Sequence, residues 1–103
     1  MIVWINGIRW HITFVEPFNE CLLRTSGEYS LGVTDTITKN VYISCVLDKA
    51  TMDRVICHEI VHCFAYSYGV LVDIETEEIL ADFIARYGRK IIEKTDKILS
   101  KHL

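Results

Sequence analysis

The hydrophobic pattern of this chain changes its period once, after Leu47. Before that residue, apolar and polar side chains alternate imperfectly, which is typical of strands with one buried face. After it, apolar residues recur at the 3.6-residue period of a helix. The pattern predicts an α+β fold in which a small, mainly antiparallel sheet of two hairpins packs against two consecutive helices.

The first half of the chain contains signals for both hairpins. Asn6-Gly7 is a strong signal for a two-residue hairpin turn, whereas Thr36–Lys39 is a polar connection without Pro or Gly. The segment 17–26 is interpreted as either a short helix or a loop. The four predicted strands cover about 2–5, 8–15, Tyr29–Asp35 and Asn40–Val46.

The second half predicts two neighbouring antiparallel helices. The first is capped by Asp48 or Thr51, runs to about Tyr68 and ends at Gly69. The second begins near residues 75–76 and continues into the 90s, followed by an amphipathic tail. Residues expected to face the core are Cys57, Ile60, Val61, Phe64 and Tyr68 on the first helix, and Leu80, Phe83, Ile84, Tyr87 and Ile91 on the second.

The composition predicts one globular domain, residues 1–103, of ordinary hydrophobicity. The net charge of −3 does not indicate binding to nucleic acid or to an anionic membrane. The N-terminus has no secretory pattern, and no window approaches the ~18 apolar residues that span a bilayer. We therefore expect a cytoplasmic protein.

An HExxH motif, His58-Glu59-Ile60-Val61-His62, lies within the first predicted helix. Residues i and i+4 share a helix face, so both imidazoles can bind one metal ion. Glu59, one step around the helix, can then serve as general base toward a water on that metal. Histidines at this spacing also occur simply as partly buried polar residues, so the motif needs a third ligand to indicate a zinc site.

The second predicted helix offers carboxylates for the third position. A catalytic zinc of this type takes two histidines and a glutamate, and Glu78 follows His62 by sixteen residues. Asp82, on the same face one turn later, is expected to accept the free ring N–H of a ligand histidine. Glu75 shares that face and stays an alternative ligand. Glu77 is interpreted as acidic decoration of the helix N-terminus.

The cysteines do not spell a metal or redox motif, because Cys21, Cys45, Cys57 and Cys63 include no C-x-x-C pair. In a chain without a leader, buried free thiols are favoured over disulfides. Cys57 and Cys63 flank the histidines but lie about 100° and 140° from His58 around the helix. We interpret both as small core residues.

The chemistry that these residues predict is hydrolysis of a peptide bond by an activated water. Zinc lowers the pKa of its water toward ~7, Glu59 takes the proton, and Glu59 later returns it to the leaving amine. A further donor usually stabilises the oxyanion. Tyr66, about 40° past His62 on the helix, is one candidate, and Tyr42 and His11 on the strands are others.

The segments C-H-E-I-V-H-C-F and E-E-I-L-A-D-F-I-A together resemble the minimal gluzincin-type zinc metallopeptidases, most of all the ImmA/IrrE-like proteins of phages and mobile elements. The resemblance covers about residues 51–90. It implies zinc as cofactor, Glu59 as catalytic residue and His58, His62 and Glu78 as ligands. It also implies cleavage of a partner protein, often a repressor encoded beside it. Val61 stands where this family frequently has Gly.

Two other classes of function stay open at this point. One is a zinc-binding interaction module or antirepressor that cleaves nothing, and the other is a metal-free structural domain. Glu59 favours the enzyme, because a structural zinc site needs no base and fills its fourth position with Cys or His. An edge strand within 29–46 is expected to bind a protein or peptide substrate by strand addition. The oligomeric state stays open.

Overall fold

The computed structural model describes residues 1–103 and has an α+β architecture, a four-stranded sheet packed with two helices. This confirms the predicted fold class. Neither helix combines the length and the apolar character needed to cross a membrane. The elements in chain order are β1 (Ile2–Ile5), β2 (Ile8–Val15), a 3₁₀ turn (Glu20–Leu22), β3 (Gly32–Asp35), β4 (Asn40–Ser44), α1 (Lys49–Ser67) and α2 (Ile74–His102).

Both predicted hairpins are present. β1 pairs antiparallel with β2 through Asn6 and Gly7, whose φ angles of 47° and 77° suit the two-residue turn that such strands favour. β3 pairs antiparallel with β4, and the Asp35 carboxylate accepts the backbone N–H of Ile37 at 2.9 Å within the connecting turn. β3 and β4 are each shorter than predicted.

The sheet is mixed, because the two hairpins join through a parallel pairing of β2 with β4. The strand order is β1-β2-β4-β3, which leaves β3 on an edge. Parallel neighbours require a crossover connection rather than a tight turn. The chain between Val15 and Asn40 provides this crossover connection and contains the 3₁₀ turn and β3. The prediction of a mainly antiparallel sheet therefore holds for the hairpins and misses the pairing between them.

The helices run antiparallel, since contacts between them pair residues in opposite order: His62 with Glu77, His58 with Asp82, and Asp53 with Arg89. Asp48 caps α1 by accepting the Thr51 backbone N–H at 2.8 Å. Gly69, with a φ of +66°, follows the helix end as expected. Asp73 caps α2 in the same manner as Asp48 caps α1.

The core lies between one face of the sheet and α1. Its fully buried side chains are Ile5, Trp10, Ile12, Val41, Ile43 and Cys63. The Trp10 indole N–H donates to the Ser67 hydroxyl at 3.0 Å, which ties the sheet to the end of α1. The predicted core face of α1 is correct in part: Ile60 packs against the core, whereas Phe64 and Tyr68 are about half exposed and stack on each other. The helix instead turns Glu59 and Cys63 inward.

α2 buries far less of its apolar face than predicted. Only Ala81 is fully buried, and Leu80, Ile84 and Ile91 are each at least 40% exposed. The physical reason is that α1 already covers the sheet, so α2 has only one helix to pack against. A small residue at position 81 lets α2 approach α1 closely at the level of the two histidines.

Candidate metal centre

The histidine face of α1 is enclosed by β3 on one side and by α2 on the other. Helical spacing places His58 and His62 on one face, and their ring centroids are 5.0 Å apart. His62 is buried, with its side chain 8% exposed, whereas the His58 side chain is 16% exposed. Both imidazoles therefore lie at the floor of a cleft rather than on an open surface.

Glu78 of α2 reaches both imidazoles with its two carboxylate oxygens. Its Oε2 lies 3.1 Å from His58 Nε2, and its Oε1 lies 2.8 Å from His62 Nε2. One ligand atom from each of the three residues lies within 4.8 Å of the others. Donors bound tetrahedrally to zinc at 2.0–2.1 Å stand about 3.3 Å apart. The three side chains thus fit a two-histidine, one-glutamate metal site with small adjustments.

The other nitrogen of each imidazole contacts a second carboxylate. His58 Nδ1 lies 3.0 Å from Asp82 Oδ1, and His62 Nδ1 lies 2.5 Å from Glu77 Oε2. Glu77 therefore does more than decorate the helix N-terminus, which corrects the interpretation made from the sequence. Adjacent helix residues point about 100° apart, so no spacing rule would have assigned Glu77 and Glu78 to the same pair of rings.

The contacts of the two Nδ1 atoms indicate which ring nitrogens have a lone pair available for a metal ion. A neutral imidazole has one donor and one acceptor nitrogen. If Nδ1 donates to Asp82 or Glu77, then Nε2 presents a lone pair, and both Nε2 lone pairs face the oxygens of Glu78. Acceptors facing acceptors need either additional protons or a cation between them. A divalent cation satisfies all three ligands at once, so the donor set suits a metal ion.

Glu59 lies on the sheet side of the histidines. Its side chain is buried, and Thr34 Oγ1 on β3 donates to its Oε1 at 2.8 Å. Burial raises the pKa of the Glu59 carboxyl, and the Thr34 hydrogen bond opposes part of that rise. Gly32 makes this approach possible, because a Cβ there would stand 3.0 Å from Glu59 Cγ and 2.9 Å from a Val55 methyl. Thr34 and Gly32 were not predicted, because β3–α1 contacts join distant parts of the sequence.

Several other predicted side chains are not brought to this centre. Glu75 is exposed in the first turn of α2, outside the group that could hold a metal. Tyr66 packs edge to face on Trp10 and stacks under the Lys39 ammonium. Because Val41 and Ile43 point into the core, their neighbour Tyr42 lies on the opposite sheet face from the helices.

His11 and the cysteines also lie apart from the centre. His11 is exposed between Trp10 and Ile12, which both point into the core, so its ring is directed away from α1. Cys63 is fully buried in that core, and burial raises the pKa of its thiol to about 12. All four cysteines are free thiols, and none belongs to the potential metal ligands.

A two-lobed cleft crosses the centre, and Arg24, Gly32, Glu59 and Glu78 line both lobes. The first, about 260 Å³, lies on the His58 side and also contains Arg54; we call it the arginine lobe. The second, about 500 Å³, lies on the His62 side, and we call it the threonine lobe after Thr25, Thr34 and Thr36. The two arginines had no role in the sequence-based prediction.

Comparison with known proteins adds nothing to this geometry: no protein-family model, no curated protein and no solved structure matches the chain. The side chains themselves therefore indicate the function. Three features of the molecule bear on it: the convergent ligand atoms of His58, His62 and Glu78, the buried Glu59 and the cleft that crosses them.

Proposed function

We propose that this chain is a zinc-dependent metallopeptidase of the gluzincin type, which hydrolyses a peptide bond in a protein partner. One observation carries the proposal: both Nε2 atoms converge on Glu78 while both Nδ1 atoms contact other carboxylates. This is the orientation that histidine ligands of a metal adopt when outer carboxylates hold their tautomer. Three protein ligands leave a fourth position open, as catalytic zinc requires.

The residues of the chain have separate tasks in this reaction. A zinc ion, when bound, acidifies a water and withdraws electron density from the substrate carbonyl. Glu59 accepts the proton of the attacking water and donates it to the leaving amine. Thr34 holds one Glu59 oxygen, so the carboxylate keeps a single orientation beside the cleft. Asp82 and Glu77 hold the imidazoles against rotation.

The edge strand β3 supports a peptide as the substrate. Gly32 and Thr34 of this strand line the cleft beside Glu59, and an edge strand has backbone groups free to pair with an extended chain. Strand addition would bring a peptide carbonyl to the metal. By the resemblance of its two motifs to ImmA/IrrE-like proteins, we propose a repressor of a phage or mobile element as the partner that is cleaved.

The test compares metal content with cleavage. Purified protein is expected to hold one zinc per chain by elemental analysis, and Glu59→Gln should keep the zinc while losing cleavage of a candidate repressor. Glu78→Gln should lose the zinc, whereas Glu75→Gln, a matched change in the first turn of α2, should keep it.

Each opposite result has a defined meaning. Cleavage by Glu59→Gln would exclude this residue as the base. Zinc retention without cleavage of any partner by the unmodified chain would favour a zinc-binding interaction module or antirepressor. Absence of bound zinc after metal loading would remove the proposal altogether.

A further inference from the structure

The two lobes of the cleft differ in charge. Arg24 and Arg54 are the only arginine or lysine side chains that line either lobe; both border the arginine lobe, and Arg24 alone also borders the threonine lobe. Apart from the two histidines, every other ionisable residue that lines the two lobes is a carboxylate of the candidate metal centre. A peptide crossing the metal centre would therefore meet positive charge mainly on the His58 side.

Neither arginine has an ionic partner within the protein. Arg89 binds Asp53 at 2.6 Å, but no ion pair or side-chain hydrogen bond involves Arg24 or Arg54. Both are exposed. The cleft carboxylates Glu78 and Asp82 are instead engaged by the histidines. The two guanidinium groups are thus free to bind a group that arrives with the substrate.

The backbone places both arginines beside the same lobe. Arg54 lies one helical turn before His58, so it shares the histidine face of α1. Arg24 begins a turn closed by Gly27 N–H donating to its carbonyl at 2.9 Å, while its own N–H donates to the Glu28 carbonyl at 2.8 Å. Two elements that are distant in sequence therefore bring one guanidinium each to the same lobe.

Guanidinium groups bind carboxylates through two parallel hydrogen bonds, which makes arginine more selective for this group than a point charge. We propose that Arg24 and Arg54 select a peptide carrying a carboxylate next to the scissile bond. This inference rests on the proposed function and names its substrate class. The carboxylate comes either from an acidic side chain or from the peptide C-terminus.

The direction of β3 indicates on which side of the scissile bond that carboxylate lies. The chain enters the strand from Leu31 in the arginine lobe, passes Gly32, which lines both lobes, and proceeds to Thr34 in the threonine lobe. A peptide that pairs antiparallel with β3 runs the opposite way. Residues after its scissile carbonyl would then occupy the arginine lobe, so the carboxylate belongs to the leaving side.

The test measures binding of three peptide hydroxamates to the zinc-loaded full chain by calorimetry. They are identical except at the residue that follows the hydroxamate, which is Glu with an amidated C-terminus, Gln with an amidated C-terminus, or Gln with a free C-terminus. We expect at least one carboxylate ligand to bind about tenfold more tightly than the amidated Gln ligand. Which of the two does so identifies the source of the carboxylate.

The arginine variants show whether these residues cause the preference. Arg54→Gln and Arg24→Gln should each weaken binding of the carboxylate ligand more than binding of the amidated Gln ligand, and Arg86→Gln on the exposed face of α2 should leave the preference unchanged. Equal binding of all three ligands by the unmodified chain would overturn this inference and leave the metallopeptidase intact. Equal weakening of all three by the arginine variants would also overturn it. Failure of every hydroxamate to bind would overturn both proposals.

Discussion

At the scale of single residues, the environment of each carboxylate decides its task. Glu78 faces two Nε2 atoms, Asp82 and Glu77 face one Nδ1 atom each, and Glu59 is buried against Thr34. In the proposed reaction, the same functional group would therefore serve as ligand, as orienting acceptor and as base. Burial and hydrogen-bond partner, rather than residue type, distinguish the three roles.

The role of Glu77 can be tested by removing its carboxylate. Glu77→Ala should weaken zinc binding by roughly 10- to 100-fold, the usual effect of losing an outer partner of a histidine ligand. Glu75→Ala, also in the first turn of α2 but without a histidine contact, should leave the affinity unchanged. Competition with a chromogenic chelator measures both. Equal effects of the two variants on zinc affinity would indicate that Glu77 acts only through its charge at the helix N-terminus.

At the scale of elements, the centre depends on how closely β3 approaches α1. Gly32 allows that approach, and Thr34, two residues later on the same strand face, then reaches Glu59. α2 approaches α1 from the other side at Ala81, which is fully buried. Small residues at both contacts therefore allow β3, α1 and α2 to surround one cleft.

The contact at Gly32 predicts a specific sensitivity to an added methyl group. Gly32→Ala would push a Cβ to 2.9 Å from Val55 Cγ1, and overpacking of this kind costs about 1–3 kcal/mol of unfolding free energy. It should also reduce peptide cleavage, because Glu59 must move. Urea denaturation gives the first effect and the cleavage assay the second.

Gly88→Ala is the matched control for that substitution. Gly88 lies within α2, where alanine is favoured over glycine by roughly 0.5–1 kcal/mol, and its added Cβ would meet only an Ile84 methyl, at 3.1 Å, and the Ile84 Cβ. It should be neutral or slightly stabilising. If Gly32→Ala were as stable and active as Gly88→Ala, β3 would not constrain Glu59 as described.

At the scale of the whole molecule, the candidate metal centre lies at the contact between α1 and α2, which is the main contact of α2 with the rest of the chain. α2 packs along α1 and leaves most of its apolar side chains exposed, so few buried contacts secure it. A metal bound by His58, His62 and Glu78 would connect the two helices directly. Because the unfolded chain lacks the preformed site, metal binding should stabilise the folded state.

Removal of the metal should therefore lower the melting temperature. Free zinc at 100 times its dissociation constant adds about 2.7 kcal/mol to stability, which corresponds to roughly 10 °C or more for a chain of this size. Differential scanning calorimetry with and without EDTA measures the difference. Glu78→Gln, which lacks the third ligand, should melt at the same temperature in both conditions. A response of this variant equal to that of the unmodified chain would place the bound metal elsewhere.

Local patterns in the sequence were sufficient to predict the elements and part of the centre. The Asn6-Gly7 turn, the Asp48 cap and the helix end before Gly69 each depend on neighbouring residues. The HExxH spacing and the Glu78–Asp82 spacing follow from the helical period. Each of those properties depends on residues that are close together in the sequence, so the sequence alone predicts them.

Only the tertiary structure decided how these elements meet. It placed β2 parallel to β4, directed Tyr42 away from the centre and turned Glu77 toward His62. It also brought Thr34 to Glu59 and the two arginines to one lobe. Each of these contacts joins residues that no short spacing relates, and their partners depend on crossover path and helix rotation. The HExxH motif alone therefore predicted the ligands on one helix, whereas packing determined the surroundings that would make them a catalytic site.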